Sequence, residues 1–422
     1  MHVFIDMSNN QRNNHKWYIL GLSAISSTFV TGIPISCLPV LFEEIERDLH
    51  ISRVQTGTIW GIANAAAIFV GLLGGYLGDR FGVRKVLITA CILVGVTGAL
   101  RGLSDSFFIL AVTIFLNGLV RAVVPISVTK LILTWFKGRY LGIANSVGAM
   151  GMGLGLMLGP MISATIISPW LGGWRNVLFF YGALSAAAGL LWFTVGKGFV
   201  PAESAAINTP PLSIRNTLPK LIRNKAIWLA GLTLMFRMGG IQGMTGYLPL
   251  FLREQGWSVA DASHALSLFY AMSTIFVIPI AALSDKIGRR KSIMLTGLTV
   301  VAISFGILPI VGNVWVWALM AVSGLFMDSV MSIVLTMMLE SEGIEASNSG
   351  MALGLIFTIT PLGSFIAPPL GNSMASINPG LPFFFWAAIS AVAVLFLSFM
   401  KETGWRKRKA LENSNRQPSS AL

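Results

Sequence analysis

Residues 75–85 read GYLGDRFGVRK, and residues 281–291 read AALSDKIGRRK. Each stretch lies between two long apolar segments, so each is predicted to be a short turn that joins neighbouring helices. The two copies begin 206 positions apart, which is close to half of the 422 residues of the chain. A repeat at this spacing indicates two similar halves, an arrangement that is typical of membrane transporters.

Both copies contain what a tight turn at a membrane surface requires. Gly82 and Gly288 can adopt the positive φ of such a turn without steric strain. Basic residues hold the turn on the cytoplasmic side, and a carboxylate at the helix exit, Asp79 or Asp285, can pair with them or cap a neighbouring helix. The alternative is that the turn only sets the orientation of the chain in the membrane. The occurrence of the same sequence pattern twice, at one offset, argues against that alternative.

The composition indicates that the chain lies in a lipid bilayer. Of its residues 54% are hydrophobic and 11% are charged, whereas a soluble domain has roughly 25% charged residues. The apolar residues form long blocks, and a membrane-spanning helix needs about 20 of them. We therefore predict an all-α membrane protein with twelve transmembrane helices in two pseudo-symmetric six-helix bundles. The predicted spans are 17–42, 55–78, 86–104, 107–134, 141–167, 176–196, 226–250, 262–283, 292–311, 314–338, 350–371 and 381–400.

Polar segments separate and flank the two predicted bundles, 17–196 and 226–400. Residues 197–225 contain four prolines and five basic residues and are predicted to be a cytoplasmic linker. We expect residues 1–16 to form a cytoplasmic N-terminal segment and residues 401–422 to form a basic cytoplasmic tail. The two cysteines lie inside apolar segments, so the sequence indicates no disulfide framework and no metal site.

The net charge of +13 is an orientation signal and does not indicate a nucleic-acid partner. Of the 30 Lys and Arg residues, 22 lie on the side of the predicted membrane that holds both termini, and 4 lie in the opposite loops. This excess follows the positive-inside rule. We expect both termini in the cytoplasm and the protein in the cell membrane.

The turn at residues 75–85 resembles the hallmark loop of the major facilitator superfamily, a glycine followed by an Asp-Arg pair, a second glycine and basic residues. It departs from that pattern at Val83, and the second copy departs at Ala281 and Lys286. The resemblance covers the whole chain and implies that the first, fourth, seventh and tenth helices line a central cavity. It also implies that the loop aspartates help to stabilise one of two alternating conformations. The loop residues to which it assigns this gating role are Gly75, Asp79, Arg80, Gly82, Arg84, Lys85, Asp285, Lys286, Gly288, Arg289 and Arg290.

Two motifs point to different branches of that superfamily. The G-x-x-x-G-P motif of Gly155, Gly159 and Pro160 resembles one of proton-coupled drug antiporters, although Ser163 and Ala164 stand where paired glycines are expected. Residues 135–151, WFKGRYLGIANSVGAMG, look more like carboxylate and small-anion porters of the oxalate/formate, cyanate and nitrate types. The branch stays open.

Three charges deep inside predicted spans are candidates for the transport chemistry. A charge at the bilayer centre costs about 2.5–3.5 kcal/mol on insertion scales, so Arg121, Arg237 and Asp328 are expected to face a water-filled cavity or a partner. Arg121 and Met327 are separated by the same 206 positions as the two loops. Because Met327 is the neighbour of Asp328, Arg121 and Asp328 occupy nearly equivalent positions in the two halves. The resemblance places all three on cavity-lining helices. Neutral candidates for the same cavity are Gln242, Tyr247, Asn117 and Thr31, each of which could instead be an interhelical contact.

We hypothesise that Arg121 and Arg237 hold an anion, since the guanidinium fork matches a carboxylate. Asp328 would pair with an arginine in the empty protein and take up a proton when substrate binds. The alternative is a structural Arg–Asp pair that only neutralises buried charge. Arg101 and Lys130 lie nearer span ends and are expected to reach the interface.

The sequence therefore predicts a secondary transporter of a small anion, organic or inorganic, that works by alternating access as a symporter, with proton coupling as a hypothesis. The alternatives are a proton-coupled exporter of drugs or cations and a transporter-like sensor without flux. No phosphate-binding loop is present, and neither an enzyme nor a cofactor is predicted. We expect the protein to function as a monomer with a small molecule and the lipid bilayer as its partners.

Overall fold

The computed structural model describes residues 16–136, 139–195, 214–345 and 348–403. The side chains of residues 71–76 and of Asp79 are outside that description, so the predicted gating residues Gly75 and Asp79 lie outside the described side chains. The same holds for most of the predicted terminal segments and linker.

The described residues form twelve long helices, which we number α1 to α12, and a short helix at Ile214–Ile222 precedes α7. This confirms the predicted fold class. Ten of the twelve are long and apolar enough to cross a membrane; α2 and α7 are not among them, and α7 carries Arg237 and Gln242 near its middle. The helices are α1 (Lys16–Ser36, continued by Leu38–Leu49), α2 (Arg53–Phe81), α3 (Val83–Leu100), α4 (Phe107–Arg121 and Val123–Trp135), α5 (Arg139–Ile162, continued to Leu171), α6 (Trp174–Val195), α7 (Lys225–Glu254), α8 (Val259–Ile287), α9 (Arg290–Ile307), α10 (Asn313–Leu325 and Met327–Leu339), α11 (Ser349–Met374) and α12 (Leu381–Phe399).

Both repeated turns have the backbone conformation that their glycines suggested. Gly82, between α2 and α3, has φ +86°, and Gly288, between α8 and α9, has φ +67°. A side chain at either position would be strained. The two loops therefore reverse the chain within one or two residues, as the sequence predicted.

A stripe of glycines on α5 packs directly against α1. The Thr28 hydroxyl donates to the Gly151 carbonyl across 2.8 Å, and the Ser36 hydroxyl donates to the Gly155 carbonyl across 3.1 Å. A Cβ atom built at Gly155 would lie 2.6 Å from the Thr28 carbonyl oxygen. Because lipid offers no hydrophobic drive for helices to associate, small residues that permit such close packing hold the pair together.

Three of the helices are irregular where the polar candidates lie. In α1 residues Ser26–Gly32 form a π-helical turn just before Pro34, and such turns often accompany functional positions. In α4 the first segment ends at Arg121, and in α10 the second segment begins at Met327. Arg121 lies in the last turn of its segment and Asp328 in the first turn of its segment. The helix dipole favours a positive charge at the first of these places and a negative charge at the second.

The helices fall into two compact units, which we describe separately. Unit 1 consists of Met1–Asn208 and Thr245–Ala271, and unit 2 of Thr209–Met244 and Met272–Leu422. The ends of α7 and α8 that adjoin their connecting loop thus belong to the same unit as α1 to α6. The division at the predicted linker stays a prediction.

Candidate functional site

Every buried charged side chain in the described part of the chain is an arginine. The exposed fractions are 2% for Arg101, 7% for Arg121 and 1% for Arg237, and no described aspartate, glutamate or lysine is buried to this degree. Removing a charge from water is costly unless a partner compensates it. The buried interior thus carries positive charge that is not balanced by equally buried acids.

In unit 1, Arg121 is held by the backbone of α2. Its Nη2 donates to the Ala63 carbonyl across 3.2 Å, and this is its one hydrogen bond among the described residues. A guanidinium has five N–H donors. Arg121 is therefore anchored by a single contact and keeps donors that a ligand could engage.

The neutral candidates in unit 1 fall into two groups. Asn117 donates from Nδ2 to the Val94 carbonyl (3.2 Å) and to the Thr97 hydroxyl (3.1 Å), so it joins α4 to α3. This is the interhelical role that the sequence analysis left as the alternative. The buried hydroxyl of Thr31, in the π-helical turn of α1, has no hydrogen-bond partner among the described residues.

The expectation that Arg101 reaches the membrane interface is wrong. The helix α3 ends at Leu100 and a 3₁₀ turn follows, and the arginine side chain lies inside unit 1. Its Nε donates to the Gly98 carbonyl and its Nη1 to the Pro34 carbonyl of α1, both across 3.3 Å. Gly98 lies against the same side chain, since a Cβ there would be 3.5 Å from Nη2, an ordinary van der Waals distance. The sequence offered no signal for this inward orientation.

In unit 2, Arg237 and Asp328 interact electrostatically but are not hydrogen-bonded to each other. Neither terminal nitrogen of Arg237 has a hydrogen-bond partner in the described part of the chain. Asp328 is the acid with which it interacts electrostatically. The Asp328 carboxylate instead accepts from the Ser273 hydroxyl of α8 across 2.6 Å. No hydrogen bond joins the two side chains, and the pairing of Asp328 with an arginine in the empty protein stays a prediction.

The two α7 candidates belong to different units. Gln242 is partly buried in unit 2. Tyr247 is buried in unit 1, where the Arg53 guanidinium lies 5.8 Å from the centre of its ring, within cation–π range.

Five charged side chains at one end of unit 1 form a set that the sequence analysis missed. We call it the outer network, after the predicted orientation; it consists of Glu43, Glu46, Arg53, Arg253 and Glu254. Arg53 pairs with Glu46 across 3.1 Å and with Glu254, and Arg253 pairs with Glu43 across 2.8 Å. The network ties the α7 end to α1 and α2.

Glu46 is the most enclosed acid of the outer network. It accepts a hydrogen bond from the Thr56 hydroxyl across 2.8 Å. Burial raises the pKa of its carboxyl above the ordinary value, and Arg53 and Thr56 offset part of that rise, while Glu254 and Glu43 add to it. Glu46 is therefore a candidate for proton uptake.

The Major Facilitator Superfamily model matches residues 24–341, and again residues 252–421. The chain belongs to this superfamily. It is an integral membrane protein, and the membership that the sequence resemblance implied is confirmed. The relatives and the solved structure described next are transporters.

Known superfamily members resemble this chain along most of its length. A nitrite extrusion protein of Bacillus subtilis is 25% identical over 396 residues, 92% of this chain and 95% of the relative. A cis,cis-muconate transport protein of Acinetobacter baylyi is 25% identical over 301 residues, 67% of this chain and 70% of the relative. The crystal structure of a mutant of the nucleoside transporter NupG has a TM-score of 0.77 at 15% identity and covers 90% of this chain and 99% of that one, which shows a shared fold.

The second superfamily loop lies within a charged cluster of unit 2. Arg290 pairs with Asp285 across 3.1 Å and with Glu340 across 2.6 Å. The Glu402 carboxylate accepts from the backbone N–H groups of Arg290 and Lys291 (2.9 and 3.1 Å) at the start of α9. The predicted pairing of Asp285 with a loop basic residue is confirmed.

The remaining loop residues differ in how firmly they are held. In the first loop, Arg84 donates to the Phe193 carbonyl of α6 across 3.0 Å. The other four basic loop side chains are exposed: Arg80, Lys85, Lys286 and Arg289.

Proposed function

We propose that this superfamily member carries a small carboxylate-like anion by alternating access, and that Arg121 and Arg237 bind the anion. The observation that carries the proposal is the identity of the buried charges in the described part of the chain, which are arginines without equally buried acids. A buried guanidinium is most readily compensated by an anion, to which it can donate two parallel hydrogen bonds. The relatives support the same reading, since nitrite and muconate are both anions.

The two arginines differ in what already surrounds them. Among the described residues, Arg121 has one backbone partner, and Arg237 has none at its terminal nitrogens. An anion would supply the missing acceptors in each case, and an acceptor that satisfies a charged donor contributes more than one that satisfies a neutral donor. Thr31 and Gln242 are proposed to add neutral hydrogen bonds to the substrate.

We assign proton coupling to Asp328 as part of the same proposal. Its carboxylate already accepts from Ser273, so a protonated Asp328 could stay in place while Arg237 turns to a substrate. The loop residues around Asp79 and Asp285 are proposed to stabilise one of the two conformations. We also propose that the protein lies in the cell membrane as a monomer, with both termini in the cytoplasm.

The test is uptake of labelled anions into proteoliposomes containing purified protein. Arg121→Ala and Arg237→Ala should each lower uptake at least tenfold, and Arg121→Lys should recover only part, because an ammonium group lacks the bidentate geometry. The exposed Arg223→Ala variant is the matched control and should transport normally. Unchanged uptake in both alanine variants would refute the anion-binding assignment. Flux of cationic drugs without anion flux would establish the exporter instead.

A further inference from the structure

Unit 1 contains two buried arginines that lie close together and no buried acid among its described residues. Both Arg101 and Asn117 lie against Gly98, because a Cβ there would be 3.5 Å from Arg101 Nη2 and 3.7 Å from Asn117 Nδ2. Asn117 in turn lies one helical turn before Arg121 on α4. The two guanidinium groups are near enough to interact electrostatically.

The partners of these arginines solvate them without neutralising them. Arg101 donates to the carbonyls of Gly98 and Pro34, and Arg121 donates to that of Ala63. A carbonyl is a dipole with no net charge, so the described residues of unit 1 leave both buried positive charges without a buried acid. Unit 2 differs, because its Arg237 interacts with Asp328.

We propose that the substrate is a dianion, of the dicarboxylate class, and that Arg101 is the residue that sets this charge preference. The inference rests on the proposed anion transport and goes one step further. A monoanion bound at Arg121 would leave Arg101 uncompensated, whereas a second carboxylate balances both charges. Arg101 is fixed by two backbone hydrogen bonds, so it acts through its charge and position while Arg121 offers the free donors.

The position of Arg101 supports a role in selectivity. It projects from the turn after α3, and its Nη1 reaches Pro34, two residues after the π-helical turn of α1 ends. Arg121 projects from a different helix, α4. Two carboxylates joined by a short carbon chain match two charges that come from separate helices better than one compact anionic group does.

The experiment compares fumarate with crotonate, which have the same four-carbon skeleton and differ by one carboxylate. Uptake of each, and competition by each against the other, is measured in proteoliposomes containing the full chain. The wild-type protein should prefer fumarate by at least tenfold. Arg101→Lys should keep that preference, and Arg101→Gln should lower fumarate uptake about tenfold while crotonate uptake changes less than threefold.

A second variant keeps the test decisive if Arg101→Gln fails to fold. Asn117→Asp places a carboxylate beside both arginines and should shift the preference from fumarate towards crotonate. Equal uptake of the two probes by the wild-type protein, or an equal loss of both in Arg101→Gln with an unchanged ratio, would overturn the dianion inference. Failure of the proposed function looks different, because then neither probe is transported and Arg121→Ala has no effect on any anion.

Discussion

Arg253, in the last turn of α7, donates from Nε to Glu43 on the continuation of α1 across 2.8 Å. The two residues are 210 positions apart, and the contact closes one end of unit 1 together with the Arg53 pairs to Glu46 and Glu254. About one third of each partner's side chain is exposed. Solvent therefore screens the attraction between Arg253 and Glu43, which is one ion pair of the outer network.

We expect Glu43→Gln and Arg253→Gln to be coupled. Exposed ion pairs contribute about 0.2–1 kcal/mol in double-mutant cycles, and the neighbouring pairs should place this one at the upper end of that range. The measurement is thermal unfolding of the two single variants and the double variant in detergent. Additive effects, with no coupling, would show that the contact does not stabilise the unit.

Acidification should stabilise the packed form of the outer network through Glu46. Burial raises its pKa while it is packed with Arg53, Thr56, Glu254 and Glu43, and opening to water would return the pKa towards its ordinary value. The packed form therefore binds the proton more tightly, so it is favoured at low pH and loses stability as pH rises from the ordinary pKa through the raised one.

Hydrogen–deuterium exchange over residues 43–60 measures this pH dependence. The wild-type protein should become less protected than Glu46→Gln at the same pH as the pH increases, since the glutamine cannot ionise. A constant difference between the two proteins across the range would contradict the assignment to Glu46.

The close packing of α1 on α5 makes Gly155 intolerant of a side chain. In Gly155→Ala the new methyl would meet the Thr28 carbonyl at 2.6 Å and the Gly32 Cα at 2.8 Å, both backbone atoms. Overpacking of this kind costs about 1–3 kcal/mol. The control is Gly148→Ala on the same helix, whose methyl would lie 3.5 Å from Ile132 and should leave the melting temperature unchanged or higher. Similar melting temperatures for the two variants would be evidence against the helix contact.

Gly82→Ala separates backbone strain from crowding. A Cβ there meets nothing within 4 Å, yet φ is +86°, a conformation that costs a residue with a side chain about 1–3 kcal/mol. We expect a lower melting temperature and slower transport. Gly350→Ala on α11 also enters open space, without positive φ, and should be neutral in both assays. If Gly82→Ala behaved like this control, the claim that stability and transport require the positive φ of Gly82 would be contradicted.

The sequence allowed prediction of the features that depend on local pattern. Long apolar blocks predicted the helices, and Gly82 and Gly288 predicted the turns, because span length and positive φ are requirements of the backbone itself.

Features that depend on side-chain direction could not be predicted. Arg101 was expected to reach the interface because it lies near a span end, but the 3₁₀ turn carries it inward to a carbonyl of α1. The outer network joins residues near position 50 to residues near 253, and no sequence spacing relates them. For Asp328, a serine on α8 is the bonded partner.

The π-helical turn at Ser26–Gly32 also fixes the phase of everything in α1 that follows it. A π-helical turn holds one residue more than the α-helical turn that it replaces, and successive residues of an α-helix are rotated by about 100°. Regular α-helical winding of the same residues would therefore rotate the downstream segment by about that angle. The Pro34 carbonyl would then point away from Arg101, and Ser36 would leave Gly155. A single extra residue in the first helix thus aligns a guanidinium contact and a glycine contact at once.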